Sequence, residues 1–144
     1  MKTKLTTLFV LLIVAVLASA CGGSAAAAGP ATSVFNEAQA IEVATNALAN
    51  GYNKGDSASY LRDMDDSMKS AVTPEGFTEF IQPYKENYGN FVSIEFAELS
   101  QAKTEGYVRW TFTCTFEKGT LYFALVFPQD GDKAAGATIT DAKP

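Results

Sequence analysis

The apolar period of this chain changes once, near Gly89, and that change restricts the folds open to it. Before Gly89 the apolar residues recur at helical spacing; after it they alternate. In NEAQAIEVATNALANGYNKGD, Ile41, Ala44, Leu48 and Tyr52 share one helical stripe, with Asn36 suited to the N-cap and Glu37 to the first turn. Asn53, Gly55 and Asp56 should end that helix. SASYLRDMDDSMKSA is a weaker helical stretch, with Tyr60, Leu61, Met64 and Met68 as its apolar points. In TPEGFTEFIQPYKENYG, Thr73 can cap, Pro74 fits the first helical position, and Glu75 suits the positive helix end. Phe77, Phe80, Ile81, Tyr84 and Tyr88 form its aromatic stripe, Gly89 is placed to stop it, and Pro83 is expected to kink or divide it.

Strands follow. FVSIEFAEL alternates through Val92, Ile94 and Phe96, but Glu98 then falls on the apolar face and Leu99 on the other. The pattern predicts a bulge or an end near Ala97. YVRWTFTCTFEKG sends Val108, Trp110, Phe112, Cys114 and Phe116 to one face and Tyr107, Arg109, Thr111, Thr113 and Thr115 to the other. A turn at residues 117–120 leads to LYFALVF, apolar on both faces; PQDGDK makes a second turn before the short strand AGATIT. The expectation is an α+β domain: three N-terminal helices packed on an antiparallel sheet of about four strands.

The chain opens MKTKLTTLFVLLIVAVLASACGG, two early lysines followed by an apolar run shorter than the roughly 20 residues of a spanning helix. It reads as an export signal over residues 1–20. Its ending, LASAC, resembles the lipobox of bacterial lipoproteins, with Ala18 where that motif prefers leucine. The resemblance implies cleavage before Cys21 and a diacylglycerol on its sulfur, whereas an ordinary secretory signal would leave Cys21 bare. Residues 21–34 then read as the lipidated cysteine and a tether of small uncharged residues, and residues 35–141 as the domain. The expected location is the outer face of a bacterial membrane, in the cell envelope.

Composition narrows the chemistry. Removing Lys2 and Lys4 leaves 9 of the 11 basic residues against 16 acidic ones, so the net charge moves from −5 to −7. That balance disfavours nucleic acid as a partner. With no histidine, the common metal ligand and the common proton shuttle are both missing, and no cofactor is expected. Cys114 is the one cysteine besides Cys21, so an internal disulfide within the domain is ruled out.

The element order, carried by ALANGYNKGD, DMDDSMKSAVTPEGF, ENYGNFVSI, TFTCTFEKGTLYFALVF and GDKAAGATI, resembles the nuclear transport factor 2-like superfamily. That is the cystatin-like, cone-shaped fold of SnoaL-type cyclases and ketosteroid isomerases. The resemblance implies a strongly bent sheet whose concave face meets the helices around a pocket, and an outer sheet face that serves homodimerisation. It looks most like a bacterial domain family on exported proteins whose function is unassigned.

On that reading Tyr52, Tyr60, Phe80, Tyr84, Trp110, Phe112 and Cys114 are the candidate pocket residues, lining a site for a small apolar ligand. Equally, an aromatic stripe at helical spacing is first of all a packing device. Asp63, Asp65 and Asp66 are the one concentrated acid cluster. An isomerase of this type would need one such carboxylate inside the cavity, and their pattern suits a solvated helix end better. DMDDS lacks the glycine and distal glutamate of a calcium loop, and PQDGDK reads as turn chemistry. The sequence therefore points to a non-catalytic domain that binds a ligand or a protein partner. An isomerase or cyclase, and a purely structural dimerisation domain, are the rival readings.

Overall fold

The computed structural model describes residues 33–143; residues 1–20, read above as an export signal, Cys21 and most of the expected tether lie outside the described residues. Helix α1 (Glu37–Asn46) starts on Asn36, whose Oδ1 accepts from Gln39 N–H (2.9 Å) while Gln39 Oε1 accepts from Asn36 N–H (3.0 Å). This reciprocal box answers two of the amides that a helix start leaves open. The helix then widens into a π-helical segment, Ala47–Tyr52, whose exit is marked by Asn53 N–H reaching back five residues to Leu48 O (2.9 Å). Ala44, Leu48 and Tyr52 of the predicted stripe are fully buried, and Ile41 is partly so.

The stretch SASYLRDMDDSMKSA is not one helix but two, so the described residues hold four α-helices where three were expected. Asp56 caps α2 (Ser57–Leu61), and Asp65 caps α3 (Asp66–Ala71) by accepting from Met68 N–H (2.8 Å). Between them the backbone extends. Met64 bridges Ala134 in parallel fashion, Asp65 N–H donates to Ala134 O (2.8 Å), and Ala134 N–H donates to Asp63 O (3.0 Å). The cap and this distant pairing outcompete helix propagation, which gains only one local bond per residue.

Helix α4 (Pro74–Tyr88) begins with Thr73 accepting from Gly76 N–H and ends at Gly89, whose φ of 77° suits glycine. It runs on through Pro83 without dividing. Pro83 and Glu79, whose carbonyl loses its partner, both lie on the exposed side, where water can answer that carbonyl.

The four strands β1 (Phe91–Gln101), β2 (Tyr107–Phe116), β3 (Gly119–Pro128) and β4 (Gly136–Thr140) form one antiparallel meander in that order. The predicted irregularity is a register shift between Phe96 and Glu98. Phe96 pairs with Phe112 before it; Glu98 pairs with Thr111 and Leu99 with Trp110 after it. The extra residue restores the phase, returning Leu99 to the inner face and sending Glu98 outward. Inner residues Val108, Trp110, Phe112, Cys114 and Phe116 are all buried, as are Leu121, Phe123, Leu125 and Phe127 opposite them on β3.

Gly51 fixes how tightly the π segment meets α2. A Cβ built there would stand 2.5 Å from Tyr60 Cα, a contact with backbone that cannot swing away. Gly51→Ala is therefore expected to destabilise the domain by about 2–3 kcal/mol, the cost of forced overpacking. Urea unfolding followed by the fluorescence of Trp110, the single tryptophan, measures it. A shift below about 0.5 kcal/mol would contradict the close approach.

Candidate functional site

Five of the seven candidate pocket residues come together between the helices and the inner sheet face. Tyr52, Tyr60, Trp110, Phe112 and Cys114 are each at most 4% exposed and belong to one core cluster. Their rings pack directly: Tyr52 meets Phe116 edge-on at 5.3 Å, Tyr60 lies 4.8 Å from Phe77, and Phe96 bridges Trp110 and Phe112. Phe80 does not join them. It is 40% exposed and stacks on Tyr84 from outside, at 5.7 Å. Tyr84 is half-buried, and its hydroxyl donates to Ile139 O (3.0 Å) at the free edge of β4.

The polar atoms of this interior are few. Tyr52 Oη donates to Gly89 O (3.0 Å), and its ionisation is pushed up to about 12, first by burial and then by the negative charge of Glu117. Burial, with Tyr84 adding to it, also raises the Tyr60 phenol. The Cys114 thiol is pushed up to about 12 by burial, against a smaller lowering from its backbone bond with Phe123. A thiol in that state is not a nucleophile at neutral pH. Trp110 Nε1 is the one buried side-chain polar atom without a hydrogen-bond partner among the described residues.

The carboxylates lie elsewhere. Asp63 Oδ2 accepts from both Nε (2.9 Å) and Nη2 (2.7 Å) of Arg62 at the surface, while Asp65 is spent on its cap. Among the described residues no group of three histidine, cysteine or acidic side chains is placed to hold a metal, and no helix is long and apolar enough to cross a membrane. Two open surface grooves stand out. One, of about 500 Å³, lies between α4 and β4, beside Tyr84, Tyr88 and Asp141; a smaller one, of about 330 Å³, lies beside Asn46, Asn50 and Arg62.

The outer face of the sheet holds what sequence reasoning missed. Thr111 and Ala124 point away from the helices, yet they are only 2% and 3% exposed. They sit side by side in the row Glu98, Thr111, Ala124, Thr138. Small side chains flanked by larger ones on a sheet would carry that signal, but only once the register is known.

Taken together, these features define an α+β domain with helices on one face of a four-stranded meander and a hydroxyl-rich sheet on the other. Residues 46–134 match the model of the family described as a protein of unknown function (DUF3887), and the chain belongs to that family. No curated protein matches it.

The buried thiol and phenol set a pH dependence. Their acidities in the fold are weakened, from ordinary values of 9.0 and 10.0 to about 12. The unfolded chain therefore ionises first as pH rises, and the stability they contribute is complete below pH 9 and lost progressively toward pH 12. Urea melts from pH 7 to 11 should show stability falling above pH 9. Cys114→Val should flatten the slope; identical slopes would place the thiol in contact with water.

Proposed function

We propose that this chain is an exported, lipid-anchored, non-catalytic interaction domain of a bacterial cell envelope, working through the outer face of its sheet. The observation that carries this reading is the filling of the interior. Five of the seven residues that would line a pocket pack into one core there, while Asp63 pairs with Arg62, Asp65 caps α3 and Asp66 lies exposed in the first turn of α3. Proton abstraction from a carbon acid needs a carboxylate in a dry cavity beside a donor for the oxyanion. This arrangement lends an isomerase or cyclase role no support.

The outer face offers a different kind of surface. Tyr107, Arg109, Thr113, Thr115 and Tyr122 lie across β2 and β3, on a sheet side to which the helices contribute no core residue. Aromatic and guanidinium groups among short hydroxyl side chains suit a protein partner, including a second copy of the same face. The nuclear transport factor 2-like resemblance agrees with this placement, which sets the helices on the inner face. The acidic balance argues against nucleic acid and against adsorption to anionic headgroups without an anchor.

The anchor rests on Cys21 and the small residues before it. A single acyl chain holds a protein marginally, whereas a diacylglycerol holds it firmly at about 0.8 kcal/mol per buried methylene. Bacterial cells expressing the chain and fed a clickable fatty acid should label the native protein and not Cys21→Ser. Equal labelling of both would remove the anchor from the proposal.

A further inference from the structure

Helix α4 and the end of β4 border a groove of about 500 Å³, within the roughly 300–1,000 Å³ of ordinary ligand sites. Tyr84 and Tyr88, one turn apart on α4, give it two aromatic rings. Asp141, just beyond β4, supplies the one charged side chain of the lining. The smaller groove beside Asn46 has no ring, and its charges, Glu42 and Arg62, are of both signs. Of the two, only the α4–β4 groove joins aromatic rings to a single sign of charge.

Its walls are held from behind. Tyr84 Oη donates to Ile139 O (3.0 Å), and Phe80 stacks on the same ring at 5.7 Å. Tyr88 lies against the β2–β3 turn, where a Cβ on Gly119 would stand 3.2 Å from its Cδ1. Asn87 Nδ2 is spent on Pro83 O (2.8 Å), which leaves its Oδ1 as an acceptor at the rim. Thr140 Oγ1 accepts from Ala142 N–H (3.2 Å), fixing the turn that carries Asp141. Burial first, and the negative charges of Asp141 and Tyr88 after it, push the Tyr84 phenol up, so the carboxylate lies near that ring. Asp141 itself is exposed and makes no ion pair among the described residues.

These groups select the sign of a ligand. A tyrosine ring attracts a cation held over its face within about 6 Å of the centroid. The unpaired carboxylate adds a full charge of the same preference. Among the described residues no basic side chain lines the groove, so an anion finds no partner there. The same holds for a zwitterionic lipid headgroup, whose phosphate would stand beside Asp141 unanswered.

We propose that the groove between α4 and β4 binds a small organic ammonium ion carrying no anion of its own, with its cationic head against Tyr84 and Tyr88 and beside the Asp141 carboxylate. The site is separate from the outer sheet face and stands or falls independently of that reading. Choline is the probe, observed by saturation-transfer NMR of its methyl protons with the full chain in a non-ionic detergent. Binding should be saturable. The uncharged isostere, in which a quaternary carbon replaces the nitrogen, should bind roughly fivefold more weakly. Phosphocholine should lose a similar factor, and Asp141→Asn should weaken choline roughly fivefold. Tyr88→Leu should do the same through the lost ring. Unchanged Trp110 emission marks a variant as folded, and the exposed Asp141→Asn decides the matter if Tyr88→Leu does not fold. No saturable binding of choline overturns the site. Equal binding of the carbon isostere overturns recognition of charge, and equal binding of phosphocholine overturns the restriction to ions without an anion. Choline binding that the folded variants leave unchanged overturns this groove as its location.

Discussion

The side-chain amide of Asn53 joins the helical layer to the sheet, and the rest of the structure depends on that joint. An amide carries the same donor and acceptor as a peptide group. Asn53 uses both on one residue: Oδ1 accepts from Phe91 N–H (2.7 Å), and Nδ2 donates to Phe91 O (2.9 Å). It acts as a one-residue strand neighbour at the start of β1. Lys85 Nζ donates to Asn53 O (2.9 Å), and its ammonium lies 5.6 Å from the Tyr52 ring centroid. Tyr52 Oη closes the joint on Gly89 O. The exit of the π segment, the end of α4 and the first residue of β1 are thereby tied at one point. The widened turn matters because it delivers Tyr52 inward to Phe116 and Asn53 sideways to Phe91 from adjacent positions. At the far edge, Tyr84 Oη on Ile139 O does a smaller version of the same work. Each sheet edge thus has a helix-layer side chain bonded to its backbone, one way in which proteins keep edges from pairing with strangers.

That joint also explains the packed interior. With β1 held at its start, α1 and the π segment that continues it present Ala40, Ala44 and Ala47, all essentially unexposed. Small side chains let a helix approach closely. Space that longer residues on α1 would have propped open is closed instead, and the aromatic side chains of β2 and β3 occupy what is left. Burying each such ring contributes about 1.5–3 kcal/mol. The same residues that look like pocket walls in a one-dimensional reading therefore serve as the stabilising core.

A filled core leaves the surface to carry specificity, and here charge sets the terms. The chain is acidic overall, at −5, so copies approaching from a distance repel one another. At physiological salt that repulsion fades beyond about 8 Å, and only groups in contact decide the outcome. On the outer face the contact groups are of both signs: Arg109 on β2, with Glu95 and Glu98 on β1. A surface of this kind rejects random association and still accepts a partner whose charges interleave with its own.

Much of this fold was legible because its signals are local. Asn36, Thr73, Pro74 and Gly89 each act within one helical turn, and each does what its position in the sequence implies. The bulge near Ala97 was readable for the same reason: a charged residue in the apolar phase, followed by leucine out of phase, demands one extra residue. What escaped are pairings of distant segments. Met64 with Ala134 splits a helix that local spacing would have continued, Asn53 with Phe91 aligns the layers, and Lys143 pairs with Glu98 across the sheet. None of these leaves a periodic mark, because a single contact between segments tens of residues apart constrains only its two ends. Phe80 shows the converse failure. Its spacing places it on the aromatic stripe of α4, but the apolar face of that helix is only wide enough to bury Phe77 and Ile81. Phe80 and Tyr84 stand at its margin, one exposed and one bound to the edge of β4. Periodicity tells which residues share a side; how far that side extends into the core is set by the neighbour it meets.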